Sequence, residues 1–392
     1  MNLEASAAAL PLPDDLVPEA ATSAARDQTP VAASAARTLE LKFEGKSGEY
    51  FRIWIVNLFL TVATLGIFSA WAKVRKKRYL YAHTSLDGTP FQYLGQPLPI
   101  LKGRLIAAAL FLLYYFTSNF FTAQFIYVIV AAALLAPWVV VGSAAFQTRY
   151  SSFRNLTFRF AGSYRSAFAP VTCYGLLLLA AVGMGLAARQ QNPFAMVGAL
   201  SLISLFFPLW QQRTRAYVVH HTSFGGHPGI FTARARSYYK IFFLAVIIAV
   251  GAAIIGVLPG VFAATAVRDV SFKWLAPAFL IPVYLGYLLA FAYMQAEQGN
   301  LNWNHTRLGP LRFESTLGTL PLAKIYLTNA LAIVCSVGLL TPWAVMRTCA
   351  YRARCLKPTL EGDWTDFRGA TGTTVPATQA EMGEFFDLDL SL

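Results

Sequence analysis

The sequence predicts an all-α polytopic membrane protein with pseudo-repeats, in which short β-hairpin cassettes form a small cytoplasmic β layer. Three observations carry this prediction: the composition, a set of long apolar stretches and a basic segment that recurs between them. Of the 392 residues, 56% are hydrophobic and only 13% are charged, and the mean hydropathy is +0.49. Such a composition is typical of membrane proteins rather than soluble domains.

The charges are distributed unevenly along the chain. Of the 19 acidic residues, 8 lie in 1–50 and 7 in 361–392, whereas 51–360 holds 27 of the 32 Lys and Arg residues. Each basic residue near a membrane surface gains about 1 kcal/mol from anionic lipid headgroups. A soluble nucleic-acid binder would not carry such long apolar stretches. We therefore expect membrane lipids, in particular anionic ones, as partners, and no nucleic acid.

Eight apolar stretches approach or exceed the roughly 20 residues that a helix needs to cross a bilayer. The positive segments between them predict a cytoplasmic location for those segments. The first and last stretches contain a central glycine, Gly66 or Gly338, where a helix could break. Two alternatives follow: six crossings with two helical hairpins on the cytoplasmic side, or eight crossings with both termini outside. The stretches are 51–72, 105–122, 124–146, 168–188, 194–212, 241–266, 274–294 and 323–345.

A basic segment recurs between the apolar stretches, and we call each copy a cassette. Each copy combines β-rich residues, a turn and an alternating strand, which together predict a short β-hairpin. Repetition of one unit indicates parallel repeats around an axis along the membrane normal. The copies are 78–95, 149–162, 215–233, 302–315 and a degenerate fifth at 352–367. The predicted turn positions are His83, Gly88, His221, Gly225, His305 and Gly309.

The histidines of the cassettes are the first candidates for chemistry. His83, His221 and His305 precede a threonine at equivalent positions, and three imidazoles brought together could bind a metal ion. The other cassettes lack this histidine, so a turn-capping role is favoured. The four cysteines show no paired spacing, which indicates neither a disulfide framework nor a zinc site. No metal and no cofactor are expected.

Basic residues where the apolar stretches end are the second candidates. A guanidinium group holds phosphate or carboxylate through two hydrogen bonds, so these arginines could bind an anionic lipid or solute. No metalloprotease, nucleophile-elbow, P-loop or dinucleotide-binding motif occurs, and the expected protein is non-enzymatic. The leading hypothesis is that it binds or moves an anionic lipid or small solute. The candidate residues are Arg75, Arg78, Arg149, Arg215 and Arg312.

The alternative hypothesis is a membrane scaffold or regulatory subunit that recruits a protein partner through its cassettes and acidic tail. The predicted organisation is a disordered tail at 1–37, a membrane domain at 38–365 and an acidic tail at 366–392. Within the last of these, 383–392 alternates acidic and apolar residues and could dock on a basic surface.

The segment from Glu49 to Gly88 resembles the opening of the YjgN family of bacterial inner-membrane proteins, a domain family of unknown function. The resemblance extends over about 38–365 and implies an inner-membrane location and a multi-pass helical fold, but no reaction. His83 stands where the family usually has asparagine, which fits a polar turn-capping role. The matching positions are Phe43–Gly45, Glu49–Phe51, Asn57, Thr64–Ile67, Trp71–Ala72, Arg75, Arg78–Tyr79 and Thr84–Gly88.

Overall fold

The computed structural model describes residues 36–120, 125–170, 177, 180, 183, 193–266, 279–364 and 367. Within this part of the chain, helices alternate with short strands. The helices are α1 (Ser47–Ala63), α2 (Ser69–Ala82), α3 (Pro97–Phe120), α4 (Phe125–Tyr150), α5 (Pro193–His220), α6 (Ala235–Ala266), α7 (Leu280–Asn304), α8 (Thr319–Cys335) and α9 (Thr341–Cys355), and residues 164–170 are also helical.

The strands are two to five residues long and lie between helices. They are β1 (Arg37–Thr38), β2 (Leu41–Phe43), β3 (Thr84–Leu86), β4 (Thr89–Pro90), β5 (Gln92–Tyr93), β6 (Ser151–Phe153), β7 (Leu156–Thr157), β8 (Arg159–Phe160), β9 (Thr222–Phe224), β10 (His227–Phe231), β11 (Thr306–Leu308), β12 (Leu311–Ser315) and β13 (Leu356–Leu360).

These strands form one seven-stranded antiparallel sheet, ordered β1-β13-β12-β11-β10-β9-β8, and two three-stranded sheets, β2-β3-β4 and β5-β6-β7. Three extended stretches pass from one sheet into the next, because β2 follows β1, β5 follows β4 and β8 follows β7 after one or two residues. The three sheets therefore close into a continuous cycle of hydrogen-bonded strands, which we call the β ring.

One backbone hydrogen bond recurs at five places around the β ring. In each, the N–H of the residue directly after one strand donates to the carbonyl of the residue directly before the strand that pairs with it. Three residues separate the first of these strands from the new helix that follows it. The pairs, at 2.9–3.0 Å, are Glu44 with His83, Leu94 with Tyr150, Ala161 with His221, Thr232 with His305 and Thr316 with Cys355.

Three tyrosines, two of them buried and one half-buried, attach the new helices to the ring. The hydroxyls of Tyr79, Tyr217 and Tyr351 donate to backbone carbonyls of Lys46, Ser163 and Gly318, at 3.0, 2.9 and 3.4 Å. Each acceptor directly precedes a helix. Burial raises the pKa of all three tyrosines, so the hydroxyls keep the protons that they donate.

The first and last apolar stretches each form two short helices. The turn between α1 and α2 contains Leu65 and Gly66, at φ 51° and 92°, and the turn between α8 and α9 contains Val337 and Gly338, at φ 51° and 89°. This left-handed region favours glycine because it has no Cβ atom. The four helices have 17, 14, 17 and 15 residues, fewer than a bilayer crossing requires.

The prediction of an all-α polytopic protein is wrong. The seven-stranded sheet and the two small sheets make β structure a principal part of the architecture. Among the described residues, one helical segment, Ala235–Val261, has the length and apolarity to cross a membrane, with a mean hydropathy of 3.0. An apolar count over a window does not detect a turn inside it, as in 51–72 and 323–345. Parts of 105–122, 124–146, 168–188 and 274–294 lie outside the described residues, as do 1–35 and 368–392.

Candidate functional site

The β ring encloses an apolar cavity of about 340 Å³, which we call the ring cavity. Its walls are side chains from the strands and adjoining loops, among them Leu86, Phe153, Phe158, Phe224 and Phe313. Its roof consists of residues from the last turns of α2, α4, α5 and α7. Alternate strand residues point to one face, so each hairpin contributes apolar side chains to this common interior.

Two aromatic residues near the end of the described chain, Trp364 and Phe367, lie against the ring, and we call them the aromatic cover. The ring centroid of Trp364 is 5.3 Å from that of Phe153, and Phe367 is 5.3 Å from Phe224. Gly225 allows this approach, since a Cβ there would be 2.6 Å from Phe367. The aromatic cover therefore packs on two side chains that line the ring cavity.

Asp87, in the turn between β3 and β4, connects three parts of the chain. Its carboxylate accepts a hydrogen bond from Arg37 at 2.9 Å and one from the Trp364 indole at 3.4 Å. The Arg154 guanidinium lies 3.7 Å from the same carboxylate and 4.5 Å from the Trp364 ring centroid. Asp87 and Arg154 thus hold Trp364 between the turns of two hairpins. The sequence analysis missed this arrangement.

The structure places the three equivalent histidines at helix ends. Nδ1 of His83, His221 and His305 lies 2.8, 2.8 and 3.0 Å from the backbone carbonyl four residues earlier. A carbonyl oxygen only accepts, so Nδ1 carries a proton and donates. These contacts cap the last turn of α2, α5 and α7. The described residues contain no group of three His, Cys, Asp or Glu side chains arranged to hold a metal ion.

The glycines predicted as turn positions lie between paired strands. Gly88, Gly225 and Gly309 have φ values of 75°, 56° and 58°. A Cβ on Gly309 would be 2.5 Å from the Cβ of His227, so this turn also packs closely on the neighbouring hairpin.

The five candidate arginines do not line the ring cavity. Arg75 contacts the Asn57 side-chain oxygen at 3.3 Å, and Arg78 donates to the Gly95 carbonyl at 3.1 Å. Arg312 pairs with Glu361 at 2.8 Å on the strand surface. The other two, Arg149 in the last turn of α4 and Arg215 in α5, are half-buried and buried.

Arg75 has a counterpart in Arg347, since the sequence from Thr64 to Arg75 aligns with that from Ser336 to Arg347. Arg347 contacts the Asn329 side-chain oxygen at 3.4 Å, as Arg75 contacts that of Asn57. Each guanidinium also lies over an aromatic ring, at 5.2 Å from Trp343 and 5.3 Å from Phe68. The matching positions of Asn57 and Asn329 in the first and last apolar stretches were the available signal.

A set of buried polar atoms lies in the helices near the ring. Gln211 donates to the Gln298 side-chain oxygen at 3.3 Å and links α5 to α7. Four side-chain atoms here have no hydrogen-bond partner among the described residues, and a buried polar atom without a partner is unfavourable. They are Ser143 Oγ, Gln211 Oε1, Thr214 Oγ1 and Gln298 Nε2.

Replacing Thr214 by valine is expected to stabilise the protein by about 1 kcal/mol, because a buried hydroxyl without a partner becomes a methyl group of similar size. The matched control is Thr222→Val, since both threonines are at most 3% exposed but Thr222 donates to the Val218 carbonyl at 2.7 Å. That substitution should destabilise by about 1 kcal/mol. Thermal unfolding in detergent measures both. Equal losses in the two variants would show that Thr214 has a bound partner.

This geometry defines a mixed α/β class of protein. Its short hairpins close a ring, and helices with exposed apolar faces extend from that ring. The chain belongs to the DUF898 family, described as bacterial protein of unknown function, whose family model matches residues 38–385.

Curated relatives carry the name "Inner membrane protein YjgN", which confirms the resemblance stated above. The protein from Escherichia coli strain K12 is 28% identical over 207 residues, which cover 47% of this chain and 50% of the relative. That from Escherichia coli O157:H7 is 27% identical over 230 residues, covering 52% and 56%. The Salmonella typhimurium protein is 49% identical over 53 residues, covering 14% and 13%. The chain thus spans about half, or less, of these relatives' length. No solved structure matches it.

Proposed function

We propose that this protein resides in the bacterial inner membrane, with its cassettes on the cytoplasmic side, and binds anionic phospholipids without catalysing a reaction. The observation that carries this proposal is the position of basic residues on helices that leave the β ring. In four such helices the sixth residue is basic and exposed. These residues, which we call the basic belt, are Arg52 of α1, Lys102 of α3, Lys240 of α6 and Lys324 of α8.

The exposed helix surfaces farther from the ring than the basic belt are apolar. Phe59 of α1, Ile255 of α6 and Val334 of α8 are 72%, 66% and 75% exposed. The turns at the far ends of two helical hairpins present Leu65 and Val337, at 96% and 92% exposed. Contiguous apolar surface of this kind marks contact with lipid or another apolar partner. Basic side chains beside it match headgroups at the membrane boundary.

The name of the relatives supports the inner membrane as the location. The cytoplasmic side follows from the excess of Lys and Arg, which biases segments toward the cytoplasm. The recurring backbone hydrogen bond supports an origin of the hairpins as pseudo-repeats, and the helices that follow the ring strands would bring the basic belt to one leaflet. The scaffold alternative depends on 383–392, which lies outside the described residues.

Neutralising the three lysines of the basic belt is expected to remove most of the protein's preference for anionic over zwitterionic lipid. The variant is Lys102→Gln, Lys240→Gln and Lys324→Gln together, and each lysine near the surface contributes about 1 kcal/mol. The measurement is native mass spectrometry of lipids retained after extraction from discs of equal phosphatidylglycerol and phosphatidylcholine. The wild type should retain phosphatidylglycerol in excess, and the variant should retain the two lipids in nearly equal amounts.

The matched control removes the same charge from the β ring. Arg159, Arg307 and Lys357 are exposed strand residues, and their replacement by glutamine should leave the phosphatidylglycerol excess unchanged. Equal losses in the two triple variants would mean that net charge, and not the belt, attracts the lipid. An unchanged excess in the belt variant would overturn the proposal.

A further inference from the structure

We propose that the ring cavity is a binding site for an uncharged, largely apolar small molecule with one hydrogen-bonding group. This inference does not depend on lipid binding at the basic belt, because the cavity and the belt share no residue. It rests on the size of the cavity, the chemistry of its lining and the packing of the aromatic cover on two lining residues.

The size suits a small ligand. Ligand pockets in proteins have volumes of roughly 300–1,000 Å³, whereas voids left by ordinary packing hold at most a few water molecules. At about 340 Å³ the ring cavity lies within the range of ligand pockets. It is also assembled from every part of the ring, from Leu41 of β2 to Pro358 of β13.

The lining excludes a charged ligand. Among the described residues, no Asp, Glu, Lys, Arg or His lines the cavity, and an ion placed there would lose its hydration without gaining a counter-charge. The aromatic walls, including Phe91, Phe153 and Phe224, suit a planar or aliphatic body.

The Gln147 side chain is a polar group of the lining that a ligand can use. The hydroxyls of Thr84, Ser151 and Thr222 donate to helix carbonyls at 2.7–2.8 Å, so their protons are already used. The Gln147 side chain also lines the cavity, and no described residue hydrogen-bonds to its amide. An amide both donates and accepts, so a ligand hydroxyl or carbonyl could bind there.

The aromatic cover lies beside the ring cavity, against two of its lining residues. Trp364 and Phe367 pack on lining residues mainly through ring contacts, and the one hydrogen bond from the Trp364 indole is long, at 3.4 Å. Displacement of these two side chains would expose Phe153 and Phe224 without breaking a strand pair. Removing the Trp364 ring should therefore speed entry.

Photolabelling of the full-length protein in lipid discs with the uncharged probe phenyl-trifluoromethyl-diazirine tests the proposal. Mass spectrometry of peptides then locates the label. We expect label on Phe153, Phe158 and Phe224, in addition to label on the lipid-facing surface of α6, which serves as an internal control. Naphthol should compete for the ring sites, whereas naphthalenesulfonate should compete at least about tenfold more weakly because burying its charge is unfavourable. Trp364→Ala should raise the rate of ring labelling.

Two variants that fill the ring cavity show whether the label enters it. Ala144→Phe and Val218→Phe place a ring in the cavity from different helices and should each abolish ring labelling while α6 keeps its label. Two variants are used so that a folding defect in one of them does not decide the result. Ring peptides with no more label in the wild type than the outward strand residues Arg159 and Arg307 would overturn the proposal. So would ring labelling that persists in both filled variants, or that the sulfonate blocks as well as naphthol does.

Discussion

Replacing Gly286 by leucine is expected to destabilise the protein by about 3 kcal/mol or more. A Cβ on Gly286 would overlap the Cβ of Ala252, so α7 lies directly against α6 at this position. A larger side chain at position 286 must push the two helix backbones apart, because the nearest atoms, the Cβ and Cα of Ala252, cannot rotate away. Small residues at helix contacts allow such close approach. The unfolding temperature in detergent measures the loss.

Gly251→Leu is the matched control for this substitution. Gly251 lies in α6, and a Cβ there would meet no atom within 4 Å. Both variants gain helix propensity of about 1 kcal/mol, so the control should be neutral or slightly stabilised. If the two variants unfold at the same temperature, close approach of α6 and α7 does not determine stability.

Replacing Gly229 by alanine should be the most damaging small change in the β ring. A Cβ on Gly229 would overlap the backbone oxygen of Val219 and lie 3.1 Å from that of Thr222. Both neighbours are backbone atoms, which cannot rotate away, so β10 must shift from the end of α5. Because β10 pairs with both β9 and β11, we expect a loss of about 3 kcal/mol or more.

The control for Gly229 is its neighbour in the same strand. Ile230 is 49% exposed, and Ile230→Ala should change stability by at most about 1 kcal/mol. Unfolding temperatures of the two variants give the comparison. A larger effect at Ile230 than at Gly229 would contradict the close contact with the Val219 carbonyl.

The local parts of this fold could be predicted from the sequence because their causes are local. Turns at Asp87–Gly88 and Gly225–Gly226 need residues that adopt positive φ, and glycine or aspartate supplies that conformation. The strands beside these turns alternate apolar and polar residues. The helix breaks near Gly66 and Gly338 also have a local cause. A glycine within an apolar stretch marks a position where the backbone can adopt positive φ and the helix can end.

The way the pieces assemble could not be predicted in the same manner. Arg37 of β1 pairs with Leu360 of β13, and no short-range pattern specifies a partner so distant in the chain. Strands of two or three residues carry too little pattern to reveal a large sheet. Apolar composition over 51–72 or 323–345 was equally compatible with one long helix and with two short ones. The β content was therefore misjudged, and among the described residues one helical segment, Ala235–Val261, has the length and apolarity to cross a membrane.

The candidate site was predicted only in part. Charge identified the arginines, but charge alone does not reveal that Arg78 and Arg312 are engaged by Gly95 and Glu361. The ring cavity depends on residues from all the hairpins and became visible only once they were assembled. Trp364 and Phe367 were hidden in a stretch interpreted as part of a degenerate cassette and an acidic tail.

The pairing of β1 with β13 has a consequence for the synthesis of this chain. β13 pairs with β1 on one side and with β12 on the other, and unpaired strand edges invite association with other chains. A nascent or truncated chain that ends before Leu356 leaves both β1 and β12 without their neighbour. Among the described strands β13 thus covers an edge of β1 and an edge of β12, and a chain without β13 leaves both edges open to association with other chains.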